Sequence, residues 1–155
     1  MKDWPWLIVI AIFLMVPVIL TIWHYPSKRL TARQGEALLK YGIIHFTKLE
    51  SIALIFKDGY IKPSRKAMSK REENLTWFFL CEGDAVHSIQ ERFEAISEIR
   101  DANACVWVYG FSRKDLAAFR YRPDKHYLAH DGIVQKPMTA FMLSGDSWVE
   151  IQNLL

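Results

Sequence analysis

The sequence predicts an α+β fold with a mostly antiparallel sheet and two to three helices, preceded by one membrane-spanning helix. Three observations predict this arrangement. An uncharged segment opens the chain, amphipathic helical patterns with capping residues dominate the first half of the remainder, and short apolar or alternating segments dominate the second half. Helices and strands that are segregated in this way favour α+β over a parallel sheet with alternating helices.

The membrane-spanning helix is predicted from the segment between Trp4 and Trp23, in which 20 consecutive residues carry no charge and only Thr21 is polar. A helix of this length spans roughly 30 Å, the thickness of the hydrocarbon core of a bilayer. A cleaved signal peptide would have a shorter apolar core and a small-residue cleavage site. One buried core helix would not need so long an uncharged run. Residues 1–25 are therefore predicted to be a retained transmembrane anchor.

The orientation of the anchor is predicted from the basic residues that flank it. Lys2 precedes the apolar segment, whereas Lys28, Arg29, Arg33 and Lys40 follow it closely. The positive-inside rule therefore places the carboxyl-terminal part in the cytoplasm, at the inner face of the cell membrane. The lipid bilayer is accordingly the first expected partner.

The remainder divides into a juxtamembrane link with a short helix, residues 26–42, and a soluble α+β domain, residues 43–155. Together they hold about 130 residues, enough for one domain with its own core. The net charge of +3 is too small to favour nucleic acid as a partner. Cys81 and Cys105 lack the spacing of a metal site, and their spacing leaves a disulfide open, but both lie in apolar runs, so buried thiols and no metal are expected.

Capping residues set the limits of the predicted helices. Thr31 begins a helix that ends at Gly42, and Thr47 with Glu50 forms a capping box for a second helix that Gly59 ends. Asp84 caps the longest soluble helix. A charged loop is predicted over residues 64–74. The predicted strands are 43–46, 60–61, 75–81, 104–111, 119–122, 127–129, 133–134, 139–143 and 148–151.

The stretch from Ile44 to Ser64, IHFTKLESIALIFKDGYIKPS, combines a strand, a histidine, a helix, a glycine stop and a second short strand. It resembles the first motif of the ADP-ribosyltransferase-like toxin and transferase fold, in which H-F-T or H-Y-T precedes a helix that ends in S-I-x-x-x-G-x-I-x-P-S. The interval from Ile52 to Gly59 is longer than in the commonest pattern. The matching residues are His45, Phe46, Thr47, Leu49, Ser51, Ile52, Gly59, Ile61, Pro63 and Ser64.

The resemblance implies a domain that binds NAD and transfers ADP-ribose to a target, or equally a degenerate member that keeps the fold and has lost the chemistry. In this view His45 hydrogen-bonds a ribose hydroxyl, and Thr47, at a helix start, offers backbone donors to a phosphate. An aromatic ring must stack on the nicotinamide, for which Tyr60 and Trp77 are candidates, with Tyr109 a third. Glu150 on the last strand is the implied catalytic carboxylate, placed where oxocarbenium charge develops.

The same residues also permit ordinary structural roles, with His45 at a strand end and Glu150 as an exposed strand residue. A second hypothesis is therefore a non-enzymatic, membrane-tethered interaction protein, such as an immunity or defence accessory, that binds a protein partner at the inner membrane surface. The anchor and the aromatic content of 14% favour it. Convergence of His45, one aromatic ring and Glu150 in a single cleft would distinguish the transferase from the interaction protein, and His45 and Glu150 on opposite faces of the sheet would rule the transferase out.

Overall fold

The structure, a computed structural model, describes residues 28–63, 75–122 and 127–152. The predicted anchor at residues 1–25 and the predicted loop at residues 64–74 lie outside the described residues. Within the described ranges, no helix is long and apolar enough to cross a membrane. This part of the chain is α+β, with three α-helices and a seven-stranded antiparallel sheet, which confirms the predicted fold class.

The elements follow one another in the order that the capping and alternation patterns predict. They are α1 (Ala32–Tyr41), β1 (Ile43–Thr47), α2 (Leu49–Asp58), β2 (Leu75–Leu80), α3 (Ala85–Ala95), β3 (Ala104–Val108), β4 (Phe119–Arg122), β5 (Tyr127–Asp131), β6 (Met138–Ser144) and β7 (Ser147–Glu150). Two short 3-10 helices, Ser97–Ile99 and Asp115–Ala118, precede β3 and β4.

The strands lie in the order β4-β5-β2-β1-β3-β6-β7, with β1 at the centre. Strand β1 pairs with β3 along its whole length, from Ile43 opposite Val108 to Thr47 opposite Ala104. Its pairing with β2 stops after Ile44 opposite Phe79. The carboxyl-terminal half of β1 therefore parts from β2, and the sheet opens at this point.

Side chains alternate between the two faces of the sheet, as they must in extended strands. We call the face with Ile43, His45 and Thr47 the cleft face, and the face with Ile44 and Phe46 the aromatic face. Each has its own core cluster of buried residues.

Helices cover the two faces unequally. Leu38 of α1 and Ile52 of α2, both fully buried, pack in the cleft-face core together with Ile43. Ile89 of α3 packs in the aromatic-face core with Ile44. Because Leu38 belongs to the same core as β1, the helix that the sequence assigns to the juxtamembrane segment is built into the domain.

Two of the predicted helix starts are confirmed by their hydrogen bonds. The backbone N–H of Gln34 donates to Thr31 Oγ1 (3.3 Å), and the backbone N–H of Thr31 donates to Gln34 Oε1 (2.9 Å), which completes a capping box. The His87 N–H donates to Asp84 Oδ2 at 3.0 Å. Gly42 ends α1 with φ +79°, where an added Cβ would lie 2.2 Å from the Val108 carbonyl oxygen, so the close approach of α1 to β3 requires glycine.

The predicted capping box at the start of the second helix is wrong. Thr47 stays in β1 because it pairs with Ala104 of β3, and the cap position of α2 falls on Lys48, whose side chain makes no capping bond. The Leu49 N–H donates instead to the Asn103 side-chain oxygen at 2.8 Å. A residue far away in sequence thus supplies the cap that local spacing assigned to Thr47.

Candidate functional site

A cleft of about 630 Å³ lies on the cleft face, between the end of β1 and helix α2. His45 and Thr47 reach it from β1, and Tyr60 reaches it from the segment that follows α2. These are three of the five residues that the sequence offers as candidates for cofactor binding; Trp77 and Tyr109 are the other two. The described lining also includes Ser51 and Asp58 of α2.

The turn after α2 explains why Tyr60 reaches the cleft. Gly59 adopts the left-handed conformation, with φ +73°, and its N–H donates to the Ile55 carbonyl at 2.8 Å, which ends the helix. The chain then reaches the segment that follows β5, where Ile61 and Val134 exchange two backbone hydrogen bonds of 2.9 Å each. This bridge is what remains of the strand predicted at residues 60–61.

His45 lies where β1 and β2 part, and its side chain spans the opening. Its Nδ1 atom is 2.9 Å from the Trp77 carbonyl oxygen of β2. A carbonyl only accepts hydrogen bonds, so Nδ1 carries the proton and Nε2 is left as an acceptor. Among the described residues, none forms a hydrogen bond with Nε2. The imidazole is therefore held in one tautomer with an acceptor to offer.

The charge state of His45 follows from its surroundings. Burial lowers the pKa of its imidazole from the ordinary value of 6.5, and the bond to the Trp77 carbonyl opposes that effect. The ring also packs on Phe78, with 5.5 Å between ring centroids. The imidazole is therefore neutral at pH 7. A neutral ring can accept a hydrogen bond from a hydroxyl, whereas it has no positive charge with which to pair with a phosphate.

Ser51 and Asp58 are two polar lining residues to which the sequence assigned no binding role, although Ser51 belongs to the motif. Their signal was present in the spacing, since Ser51, Ile55 and Asp58 follow at intervals of four and three along α2 and so lie on one side of a helix. At the rim, Lys62 Nζ lies 3.6 Å from Asp58 Oδ2 in an exposed ion pair. The cleft thus presents hydroxyls, a phenol, an imidazole and one paired carboxylate.

Glu150 does not share this cleft. Glu150 pairs with Phe141 of β6. The residue before Phe141 is Ala140, which pairs with Val106 of β3, and Val106 pairs with His45. Since neighbouring residues of a strand point to opposite faces, Glu150 lies on the aromatic face and His45 on the cleft face. The sheet therefore separates the predicted catalytic carboxylate from the predicted nucleotide-binding histidine.

The Trp77 ring also lies on the aromatic face, because Trp77 precedes Phe78 in β2. It packs edge-on against Tyr127 of β5, with 4.3 Å between ring centroids. What Trp77 contributes to the cleft side is its backbone carbonyl, which accepts the hydrogen bond from His45. The Tyr109 ring packs on Trp107, with 4.4 Å between ring centroids, so of the three aromatic candidates Tyr60 is the one in the described lining of the cleft.

The described residues form neither a candidate metal site nor a reactive thiol. No group of three or more His, Cys, Asp or Glu residues there could hold a metal ion. Cys81 and Cys105 are free and buried, as predicted. Burial raises the pKa of Cys81 to about 12 and that of Cys105 further, so both are protonated and unreactive at neutral pH.

Comparison of the chain with protein-family models, with curated proteins and with solved structures gives no match. What the molecule binds must therefore be inferred from the cleft itself, from its polar groups and from the residues that surround it.

Proposed function

We propose that the chain is a membrane-anchored domain that binds NAD, or a nucleotide of that class, at the inner membrane surface, as a degenerate relative of the ADP-ribosyltransferase-like fold that has lost the transfer chemistry. One observation carries the proposal: His45, Thr47 and Tyr60 line a single cleft beside the point where β1 and β2 part. Its volume of about 630 Å³ is in the range of small-molecule sites. The anchor is residues 1–25, predicted from its uncharged length.

Each lining group has a distinct task in this proposal. The unprotonated Nε2 of His45 accepts a hydrogen bond from a ribose hydroxyl, while the bond to Trp77 holds the ring in place. The Tyr60 ring packs on the nicotinamide, and the hydroxyls of Thr47 and Ser51 donate to phosphate or ribose oxygens. Backbone donation at the start of α2 plays no part, since Asn103 already accepts from the Leu49 N–H.

Transfer of ADP-ribose would need a carboxylate near the developing oxocarbenium charge. Glu150 lies on the other face of the sheet, so we assign binding to the cleft and no catalytic role to Glu150. Among the described lining residues the carboxylate is that of Asp58, which pairs with Lys62. A domain that binds the nucleotide without Glu150 fits this arrangement best.

The test is the thermal stability of the full chain in detergent micelles with and without NAD. A ligand that binds only the folded state stabilises it by roughly 2.7 kcal/mol at one hundred times its dissociation constant. His45→Gln should weaken NAD binding about tenfold, the value of one hydrogen bond to a well-placed acceptor. His87→Gln, at an exposed position on α3, is the matched control and should leave binding unchanged. An unshifted midpoint at millimolar NAD would contradict the proposal.

The second candidate is the non-enzymatic interaction protein, and one observation favours it. Met142 of β6 and Val149 of β7 are cross-strand neighbours at the edge of the sheet, 36% and 46% exposed. Adjacent exposed apolar side chains are typical of a surface that binds another protein when they form part of a larger patch. This candidate would be supported if the domain does not bind NAD and if Val149→Asp abolishes binding to a protein partner.

A further inference from the structure

The start of the described chain shows which side of the domain lies next to the anchor. Lys28 and Tyr121 exchange two backbone hydrogen bonds, of 2.9 and 2.8 Å, so the chain enters the domain alongside β4 at one end of the sheet. The predicted anchor ends at residue 25. Three residues span at most about 11 Å, so the predicted anchor would hold β4 and its surroundings at the level of the lipid headgroups.

A cavity of about 550 Å³ lies at this same end of the sheet. Arg29 lines it directly after the Lys28 bridge, and Arg113 and Arg120 reach it from the segment around β4. Its apolar lining includes Leu39 of α1 and Leu116, and one carboxylate, that of Glu36, also borders it. We call it the basic cavity, because three guanidinium groups and a single carboxylate surround it.

The arginines of the basic cavity are available to an anion. Within the described residues, none of the three forms an ion pair. Arg120 Nη1 donates to the backbone carbonyls of Ala117 (2.7 Å) and Phe119 (3.0 Å), which holds the guanidinium in place and leaves its other N–H groups free to bind. The neighbouring carboxylate of Asp115 is already engaged by Lys136 at 2.8 Å.

We propose that the basic cavity binds the phosphate of an anionic phospholipid headgroup in the leaflet into which the anchor runs. Planar guanidinium groups match phosphate oxygens in pairs of hydrogen bonds. Leu39 and Leu116, both half-buried, offer apolar contact to the glycerol and the first acyl carbons. The anchor keeps the cavity beside a high local concentration of headgroups, and in this respect the site rests on the membrane tether of the proposed function.

The experiment uses the full chain in lipid nanodiscs of phosphatidylcholine alone or of phosphatidylcholine mixed with phosphatidylglycerol. The thermal midpoint of the domain, read from tryptophan fluorescence, should be higher in the mixed discs by roughly 2 to 6 °C. Arg113→Gln should remove most of this difference, because it removes one of the guanidinium groups of the basic cavity. Arg113 is exposed, so its loss leaves the core intact. Arg100→Gln, also exposed but outside the basic cavity, changes the net charge equally and should retain the difference.

Three outcomes would overturn the inference. The first is an equal rise of the thermal midpoint in the wild type and in Arg113→Gln, which would mean that the whole domain is attracted to the anionic membrane surface and that the basic cavity is not a specific site. The second is an equal rise when inorganic phosphate is added to phosphatidylcholine discs, which would identify a free anion as the ligand. The third is failure of the chain to enter any disc, which would refute the tether as well. NAD titration in the same discs reports on the His45 cleft separately, so either site can fail alone.

Discussion

The two faces of the sheet treat adjacent residues of β1 in different ways. On the aromatic face, Phe46 lies among three rings, with centroid distances of 5.6 Å to Phe79, 6.3 Å to Phe93 and 5.7 Å to Trp148. On the cleft face, His45 makes one hydrogen bond across the opening of the sheet and offers its second nitrogen to a ligand. One face is filled by its own side chains, and the other retains a cleft.

Under the proposed function, stability and binding therefore depend on alternate residues of a single strand. Helix α3 closes the aromatic face through Phe93 and Ile89. Helix α2 covers the cleft face only in part, because Ile52 is buried while Leu54 is 62% exposed. Substitutions at odd and even positions of β1 should therefore change different properties.

The largest expected effect is that of Phe46→Ala on stability. Removal of a ring that contacts three others should cost about 3 kcal/mol of unfolding free energy through lost contacts and a residual cavity. NAD affinity measured below the unfolding transition should stay at the wild-type value, because the ring points away from the cleft. Urea unfolding of the full chain in detergent measures the cost, with Val149→Ala as an exposed control. A joint loss of NAD affinity would mean that the two faces are coupled.

A smaller effect is expected from pH. Burial lowers the pKa of His45 below 6.5, so the unfolded chain takes up the proton first as the pH falls. Stability is then complete above about pH 6.5 and declines below it, by at most about 1.4 kcal/mol per pH unit for one proton. His45→Gln should flatten this decline, and the exposed His87→Gln should not. The remaining slope belongs in part to His130, whose pKa burial also lowers. An unchanged slope in His45→Gln would show that the imidazole is not buried.

The smallest effect is expected from Glu150→Gln. Glu150 is exposed on the edge strand of the aromatic face, so its charge should change unfolding free energy by less than about 0.5 kcal/mol. NAD binding, measured by titration calorimetry, should be unaffected as well. A tenfold loss of affinity in this variant alone would place Glu150 beside the ligand, and the separation of the two faces would then be broken.

Local patterns in the sequence determined most of the elements of this domain. The α+β class, the helices capped by Thr31 and Asp84, and the strands around Val106 and Phe78 follow from capping chemistry and apolar periodicity, which act over a few residues. His45, Thr47 and Tyr60 line one cleft because all three lie within a single short strand–helix–turn unit of the chain.

Tertiary structure alone decided which distant residues meet. Sequence spacing could not assign Glu150 to the opposite face from His45, since that depends on the register of three successive strand pairs. The same holds for Asn103, which caps α2, and for Arg29, which joins Arg113 around the basic cavity. Capping and periodicity are local and can be read along the chain, whereas register and face are set only when the whole sheet is assembled.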